Sequence, residues 1–293
     1  MACYSPLQGW RDAAGQIRFS ARKGADIDVT VPCGTCVGCR VSRSRMWALR
    51  IVHESKLWAQ NCFVTLTYDD FGLPPYGSLQ YRDVQLFHKR LRHFGKFRFF
   101  AVGEYGEELS RPHYHVCYFG AFPRDARRLR SLSEERFVSW ESAEWAKLWG
   151  KGFVHVGELN YQSAAYASGY IFKKLHGDLG ADHYKRIDSD GVWHPIESEF
   201  ARMSNRPGIG HEWYHRHASD FHTRDFAVHD GKRFPVPKYY DRLLERADPD
   251  SLARLKEERE LAAIPFRSDN TPDRLVVKAE VAAALIRHAD KRR

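Results

Sequence analysis

Hydrophobic and polar positions alternate from His113 to Phe119, in the order His-Tyr-His-Val-Cys-Tyr-Phe, and the pattern predicts a strand. Residues two apart on a strand share a face, so His113 and His115 project together, about one metal site wide. Upstream, Phe99-Phe-Ala-Val-Gly-Glu104 predicts a second strand that runs into a glycine-rich turn. If the two strands pair as a hairpin, Glu104 comes beside the imidazoles. Two imidazoles and one carboxylate suit an open metal site, with positions left for water and a phosphate. The alternative is a pair of surface histidines on one strand face.

The rest of the chain supplies the elements around this hairpin. Apolar periodicity predicts a basic helix over 40–59, a strand over 61–68 and an amphipathic helix over 80–94. Strands over 97–103 and 113–119 follow, then a basic and helical segment over 121–150. A strand over 153–157 and a helix over 162–175 complete a β-α-β-β-α-β-α order. That order predicts an α+β fold, an antiparallel sheet with helices on one face. Three regions are expected: an N-terminal Cys-rich element with the basic helix (1–60), the core (61–175) and a mostly helical accessory region (176–293).

Charge changes the picture by pointing to an anionic partner. The formal net charge is +9, and it is uneven. Residues 1–60 carry nine Lys/Arg against four Asp/Glu, and residues 81–100 carry six against one. Arg43 and Arg45 on the first helix, and Lys89, Arg90 and Arg92 on the second, are the candidate DNA contacts. Either face grips phosphates or is simply solvated. His155 reads as structural. No apolar run approaches the ~18 residues a membrane span needs, and no signal-peptide pattern opens the chain. A soluble, intracellular protein is expected, without a membrane partner.

In that setting the six cysteines read as metal ligands or buried thiols rather than disulfides. Cys33-Gly-Thr-Cys36-Val-Gly-Cys39 spaces thiolates for convergence on one ion, and a hairpin through 16–31 brings Cys3 back as a fourth ligand. A four-iron cluster would want a cysteine near position 43, where Arg43 stands, so zinc is the better metal. The alternative is four reduced cysteines in a loop. Cys62 and Cys117, flanked by strand residues, read as buried thiols.

Tyr166 and Tyr170 are four apart, hence on one helical face about a turn apart, with Lys173 and Lys174 continuing that side. Such a helix either carries nucleophiles or packs its tyrosines on the sheet. Phe63-Val-Thr-Leu-Thr-Tyr, Arg111-Pro-His-Tyr-His and Tyr166-x-x-x-Tyr170-x-x-Lys-Lys together resemble the HUH endonucleases. The details look closest to the replication initiators of gokushovirus-like microviruses. The similarity spans roughly residues 1–245 and includes Ser204-Asn-Arg-Pro-Gly-Ile-Gly210 and Val236-Pro-Lys-Tyr-Tyr240.

The resemblance implies an RRM-like HUH core that nicks a single-stranded origin in rolling-circle replication, in the cytoplasm of a bacterial host. It implies tyrosine nucleophiles (Tyr166, Tyr170), with Mg²⁺ or Mn²⁺ held by His113, His115 and, by position only, Glu104. No P-loop is present, so a host helicase and polymerase are the expected partners. The competing readings are a zinc-stabilised single-strand-binding protein without chemistry and an HUH transposase.

Overall fold

The computed structural model describes residues 3–12, 14–19, 29–106, 109–129, 138–170 and 183–290. The chain forms two compact units, residues 1–45 with 241–293 and residues 46–240. In the first, β1 (Leu7–Arg11) pairs antiparallel with β2 (Ile17–Arg18) on one side and β3 (Val29–Val31) on the other. Helix α1 (Val37–Ser55) begins here and continues into the second unit. The C-terminal part of the first unit is helical, as the charge pattern predicts.

The second unit is built on a seven-stranded antiparallel sheet. Its strands are β4 (Asn61–Thr67), β5 (Arg98–Tyr105), β6 (Pro112–Phe119), β7 (Arg127–Arg128), β8 (Ser139–Glu141) and β9 (Val154–Gly157). Two short pairing strands, β10 (Lys185–Ile187) and β11 (Trp193–Pro195), precede the seventh, β12 (Phe200–Met203). The spatial order is β12-β5-β6-β4-β9-β8-β7.

Helices cover both faces of this sheet, not one as expected from the sequence. On one face α2 (Tyr81–Leu91) and α3 (Ala143–Trp149) bring Val84, Phe87, Leu91, Trp145 and Trp149 against Val64, Leu66, Tyr114, Val116 and Tyr118. On the other, α1 and α4 (Tyr161–Gly169) bring Ala48, Ile51, Val52, Ala164 and Ala167 against Phe100, Val102, Cys117 and Phe119. The reason is in the central strands. Phe99 to Val102 and Tyr114 to Phe119 are buried throughout, so each strand is apolar on both sides and needs cover on both. Cys62 and Cys117 are fully buried on opposite faces, and burial pushes both thiols well up.

The Pro207-Gly-Ile-Gly210 loop is a packing hub. A Cβ on Gly208 would lie 2.5 Å from the Tyr239 hydroxyl, and one on Gly210 would lie 2.6 Å from that of Tyr240. Gly210 also has φ +77°, so both glycines are required where they stand. Its N–H donates to Glu54 at 2.8 Å, and Arg50 donates to the Ile209 carbonyl at 3.0 and 3.1 Å. Arg50 lies 4.0 Å from both the Trp47 and Tyr239 rings, which makes it a structural cation. Past the loop come α5 (His211–His222), the hairpin β13 (Phe226–His229) and β14 (Lys232–Pro235), and α6 (Lys238–Ala247). The chain ends in α7 (Pro249–Ala263) and α8 (Pro272–Asp290).

Two core histidines make stability depend on pH. His53 stacks on Tyr240 and Trp213, and His88 packs 4.2 Å from Phe99. Burial brings both down from 6.5 to about 3. Above pH 6.5 neither folded nor unfolded chain protonates them, so the full stability is present. Between pH 6.5 and about 3 only the unfolded chain takes up the proton, and stability falls as pH falls. The expected loss from pH 7 to pH 5 is about 2 kcal/mol per histidine. Urea midpoints at the two pH values test this: His88→Leu should remove about half of the pH-dependent loss, and an unchanged pH dependence contradicts it.

Candidate active site

Three side chains converge on the α1/α4 face of the sheet. The register pairs Glu104 with His113 across β5 and β6, and Thr65 with His115 across β4 and β6. His113 Nε2 lies 2.6 Å and His115 Nε2 2.9 Å from Glu104 Oε1. The far ring nitrogens are also held: His113 Nδ1 faces the Arg111 carbonyl at 3.2 Å, and His115 Nδ1 faces Thr65 Oγ1 at 3.0 Å. A proton on His113 Nδ1, donated to that carbonyl, leaves the Nε2 lone pair directed at Glu104.

Glu104 is only 2% exposed, and its Oε2 is buried without a hydrogen-bond partner. Burial pushes the carboxyl up, but hydrogen bonds from His113 and His115, and their charge, outweigh it and hold it below its ordinary value. A buried carboxylate oxygen left over beside two aligned imidazole nitrogens fits a cation, and the three donor atoms lie within 4.8 Å of one another.

The tyrosines stand at the same histidine. Helix α4 starts at Asn160, whose side chain accepts from the Ser163 N–H at 3.0 Å, while Ser163 Oγ accepts from the Asn160 N–H at 2.9 Å. From that cap the helix runs to Gly169, with Tyr170 next. The Tyr166 ring lies edge-on to His115 at 5.0 Å, and the Tyr170 ring is stacked on it at 5.4 Å. The two tyrosine rings are 4.8 Å apart. Tyr166 is 37% exposed. Gly169 does not serve close packing on the sheet, since a Cβ there meets nothing within 4 Å. Lys173 and Lys174 lie outside the described residues.

Cys3, Cys33, Cys36 and Cys39 form the second cluster, in the first unit, and all are free thiols. Cys3 Sγ is 3.7 Å from Cys33 Sγ and 3.9 Å from Cys36 Sγ. Backbone N–H groups of Tyr4, Cys33 and Cys36 each donate to a cysteine sulfur at 3.3 Å. At Cys33 burial disfavours the thiolate, but N–H donors from Cys36 and Thr35 outweigh it and bring the thiol down to about 6. The arrangement is compatible with a metal ion.

The proposed DNA contacts are not brought to the tyrosines as a group. Arg43 and Arg45 are exposed on α1 in the first unit, where Arg43 also donates to the Gly34 carbonyl at 3.1 Å. Lys89 and Arg90, and Arg92 just after the helix, are exposed around α2, which packs on the sheet face opposite His113 and His115. Arg90 there donates to the Leu148 carbonyl at 2.8 Å. His155 shares the histidine face but stands outside the ligand cluster.

Sequence reasoning missed Thr65 and Phe63, the latter stacked on His115 at 5.4 Å. Their signal was the alternation Phe63-x-Thr65-x-Thr67, which puts them on one face; the strand register that aims them at His115 is a tertiary fact. Thr65→Val keeps the shape and removes the hydroxyl that orients His115. It is expected to weaken divalent-metal binding about 10- to 100-fold, read by Mn²⁺ titration. Unchanged affinity removes Thr65 from the site.

The comparisons with known proteins agree with this picture. A family profile described as Replication-associated protein ORF2 matches residues 61–175. Replication-associated protein VP4 of Bdellovibrio phage phiMH2K is 32% identical over 296 residues, covering 93% of this chain and 88% of that protein. Replication-associated protein ORF2 of Spiroplasma virus 4 is 33% identical over 293 residues, covering 90% and 87%. Replication-associated protein ORF4 of Chlamydia phage 1 is 28% identical over 225 residues, covering 74% and 54%. No solved structure matches the chain. Nor, among the described residues, is any helix long and apolar enough to cross a membrane. With the first two relatives matched along nearly their whole length, the chain belongs to the replication-associated proteins of the microviruses.

Proposed function

We propose that this protein is an HUH-type endonuclease that starts rolling-circle replication by nicking single-stranded origin DNA inside the bacterial host. The observation that carries the reading is the placement of both Tyr166 and Tyr170 against His115, itself one of three converging ligand groups. Glu104, His113 and His115 would hold Mg²⁺ or Mn²⁺. That ion supplies a positive charge that polarises the non-bridging oxygens of the phosphate.

The chain's own part is positioning and nucleophilic attack. One tyrosine oxygen bonds to phosphorus, the bond to the 3′ oxygen breaks, and the 3′ hydroxyl is released to the polymerase. The 5′ phosphate stays on the protein as a phosphotyrosine, which conserves the bond for rejoining. A neutral phenol is a poor nucleophile at its ordinary pKa of ~10, and the cations of Lys173 and Lys174 would favour the phenolate. With the other tyrosine 4.8 Å away, a second cut can be made while the first is occupied. The freed 3′ hydroxyl then attacks the first phosphotyrosine and closes a circle.

Zinc is the metal proposed for Cys3, Cys33, Cys36 and Cys39. A tetrahedral site with Zn–S of ~2.3 Å has sulfurs about 3.8 Å apart, close to the separations of 3.7 and 3.9 Å. Incubating the protein with labelled single-stranded origin DNA and Mn²⁺, then running a denaturing gel, tests the nicking reading. A protein-linked band that EDTA prevents is expected. Binding with no linked product would favour the single-strand-binding alternative.

A further inference from the structure

The site face of the sheet continues past the histidines onto β9. Thr65 pairs with His115 on one side and with His155 on the other. Thr67 pairs with His113, and exchanges backbone hydrogen bonds with Phe153 at 3.0 and 3.1 Å. Val154 and Val156 belong to the core on the opposite face, so alternation turns Phe153 and His155 to the site face. Two rows therefore cross the sheet: His113, Thr67, Phe153 and His115, Thr65, His155. Strands are about 4.8 Å apart, which puts the outer pair about 10 Å from the imidazoles.

On β5 and β6 this face is covered by α1 and α4. At β9 it opens to solvent: Phe153 is 69% exposed, and His155 is exposed. Between them and the ligands stand only the half-buried threonines, which leave a low floor. A fully exposed Phe71 sits on the loop after β4. That loop rests on the segment leading into Phe153, since a Cβ on Gly72 would lie 2.3 Å from the Lys151 carbonyl oxygen.

A single exposed ring is ordinary. An exposed phenylalanine and imidazole in register with a pair of candidate metal ligands are placed for a ligand that reaches those groups. The chain's +9 charge favours a polyanion over an apolar partner, and an unpaired base offers a π face to a ring without regard to sequence. We propose that Phe153 and His155 form a base-stacking subsite for the unpaired nucleotides next to the phosphate held at His113 and His115. The assignment rests on the reading of that site as acting on single-stranded DNA.

The test is fluorescence anisotropy of the full-length protein with a labelled oligodeoxythymidine in EDTA, where no cleavage occurs. Phe153→Ala is expected to raise the Kd about 5- to 100-fold, from the usual strength of base–aromatic stacking. His155→Ala should act in the same direction, and Phe153→Trp should hold wild-type affinity while Phe153→Leu does not. The slope of affinity against salt should stay unchanged, because no phosphate contact is lost. Binding of Phe153→Ala within twofold of wild type overturns the subsite, as does full rescue by Phe153→Leu. A wild-type protein that never forms a DNA adduct, but loses oligonucleotide affinity on Phe153→Ala, defeats the endonuclease reading and leaves the subsite standing.

Discussion

Replacing His113 or His115 with alanine is expected to lower origin nicking about 1,000-fold or more while leaving most DNA affinity in place. Each imidazole directs an Nε2 at Glu104 within 3 Å, so removing either leaves two donors where an ion needs at least three. The electrostatic help lost is worth several kcal/mol, and each 1.4 kcal/mol is tenfold in rate. Binding survives because phosphate contacts elsewhere supply affinity. The two variants differ in a second respect. His115 is 4% exposed and is packed by Phe63, Tyr166 and Tyr170, so its loss also loosens the tyrosines. His113 is half-buried, and its variant isolates the ligand effect. The rate of single-turnover cleavage, measured beside oligonucleotide affinity, decides it. Wild-type cutting by His113→Ala with EDTA present would dismiss the metal site.

Removing the ion from the cysteine cluster should instead cost folding. A structural zinc contributes on the order of 10–16 kcal/mol of apparent binding free energy, and β1–β3 form only a small three-stranded sheet. Purified protein is expected to hold about one zinc per chain. Cys33→Ser should abolish that stoichiometry and lower solubility before it lowers the specific activity of the soluble fraction. Elemental analysis that finds neither zinc nor iron ends this assignment.

The candidate site was legible to the extent that it rests on local period. His113 and His115 share a face because a strand repeats every two residues. Glu104 meets them because the hairpin between β5 and β6 is short. Tyr166 and Tyr170 share a face because a helix repeats every 3.6. What local period leaves open is which neighbour an element chooses. The helical pattern of α2 gave an apolar side, and Lys89 and Arg90 a basic one, but not the sheet face on which the helix settles. Arg50 looks like a phosphate contact on a basic helix, and its partner, Ile209, lies 159 residues away. Strand β12 joins the sheet from beyond residue 176 and pairs with β5, a connection no short-range signal announces. The double covering of the sheet was written in Phe99-Phe100-Ala101-Val102, apolar at successive positions; the His-Tyr-His alternation beside it suggested a one-sided sheet.

The most direct test of the proposed chemistry is to find where the DNA attaches. Covalent adducts formed on labelled single-stranded origin in Mn²⁺ are digested with protease, and the DNA-bearing peptides are sequenced by mass spectrometry. DNA is expected on both Tyr166 and Tyr170. Tyr166→Phe and Tyr170→Phe should each retain some cleavage but fail to release unit-length circles over repeated rounds, and the double variant should form no adduct. An adduct that persists in the double variant, or that maps to Tyr161, would contradict the assignment.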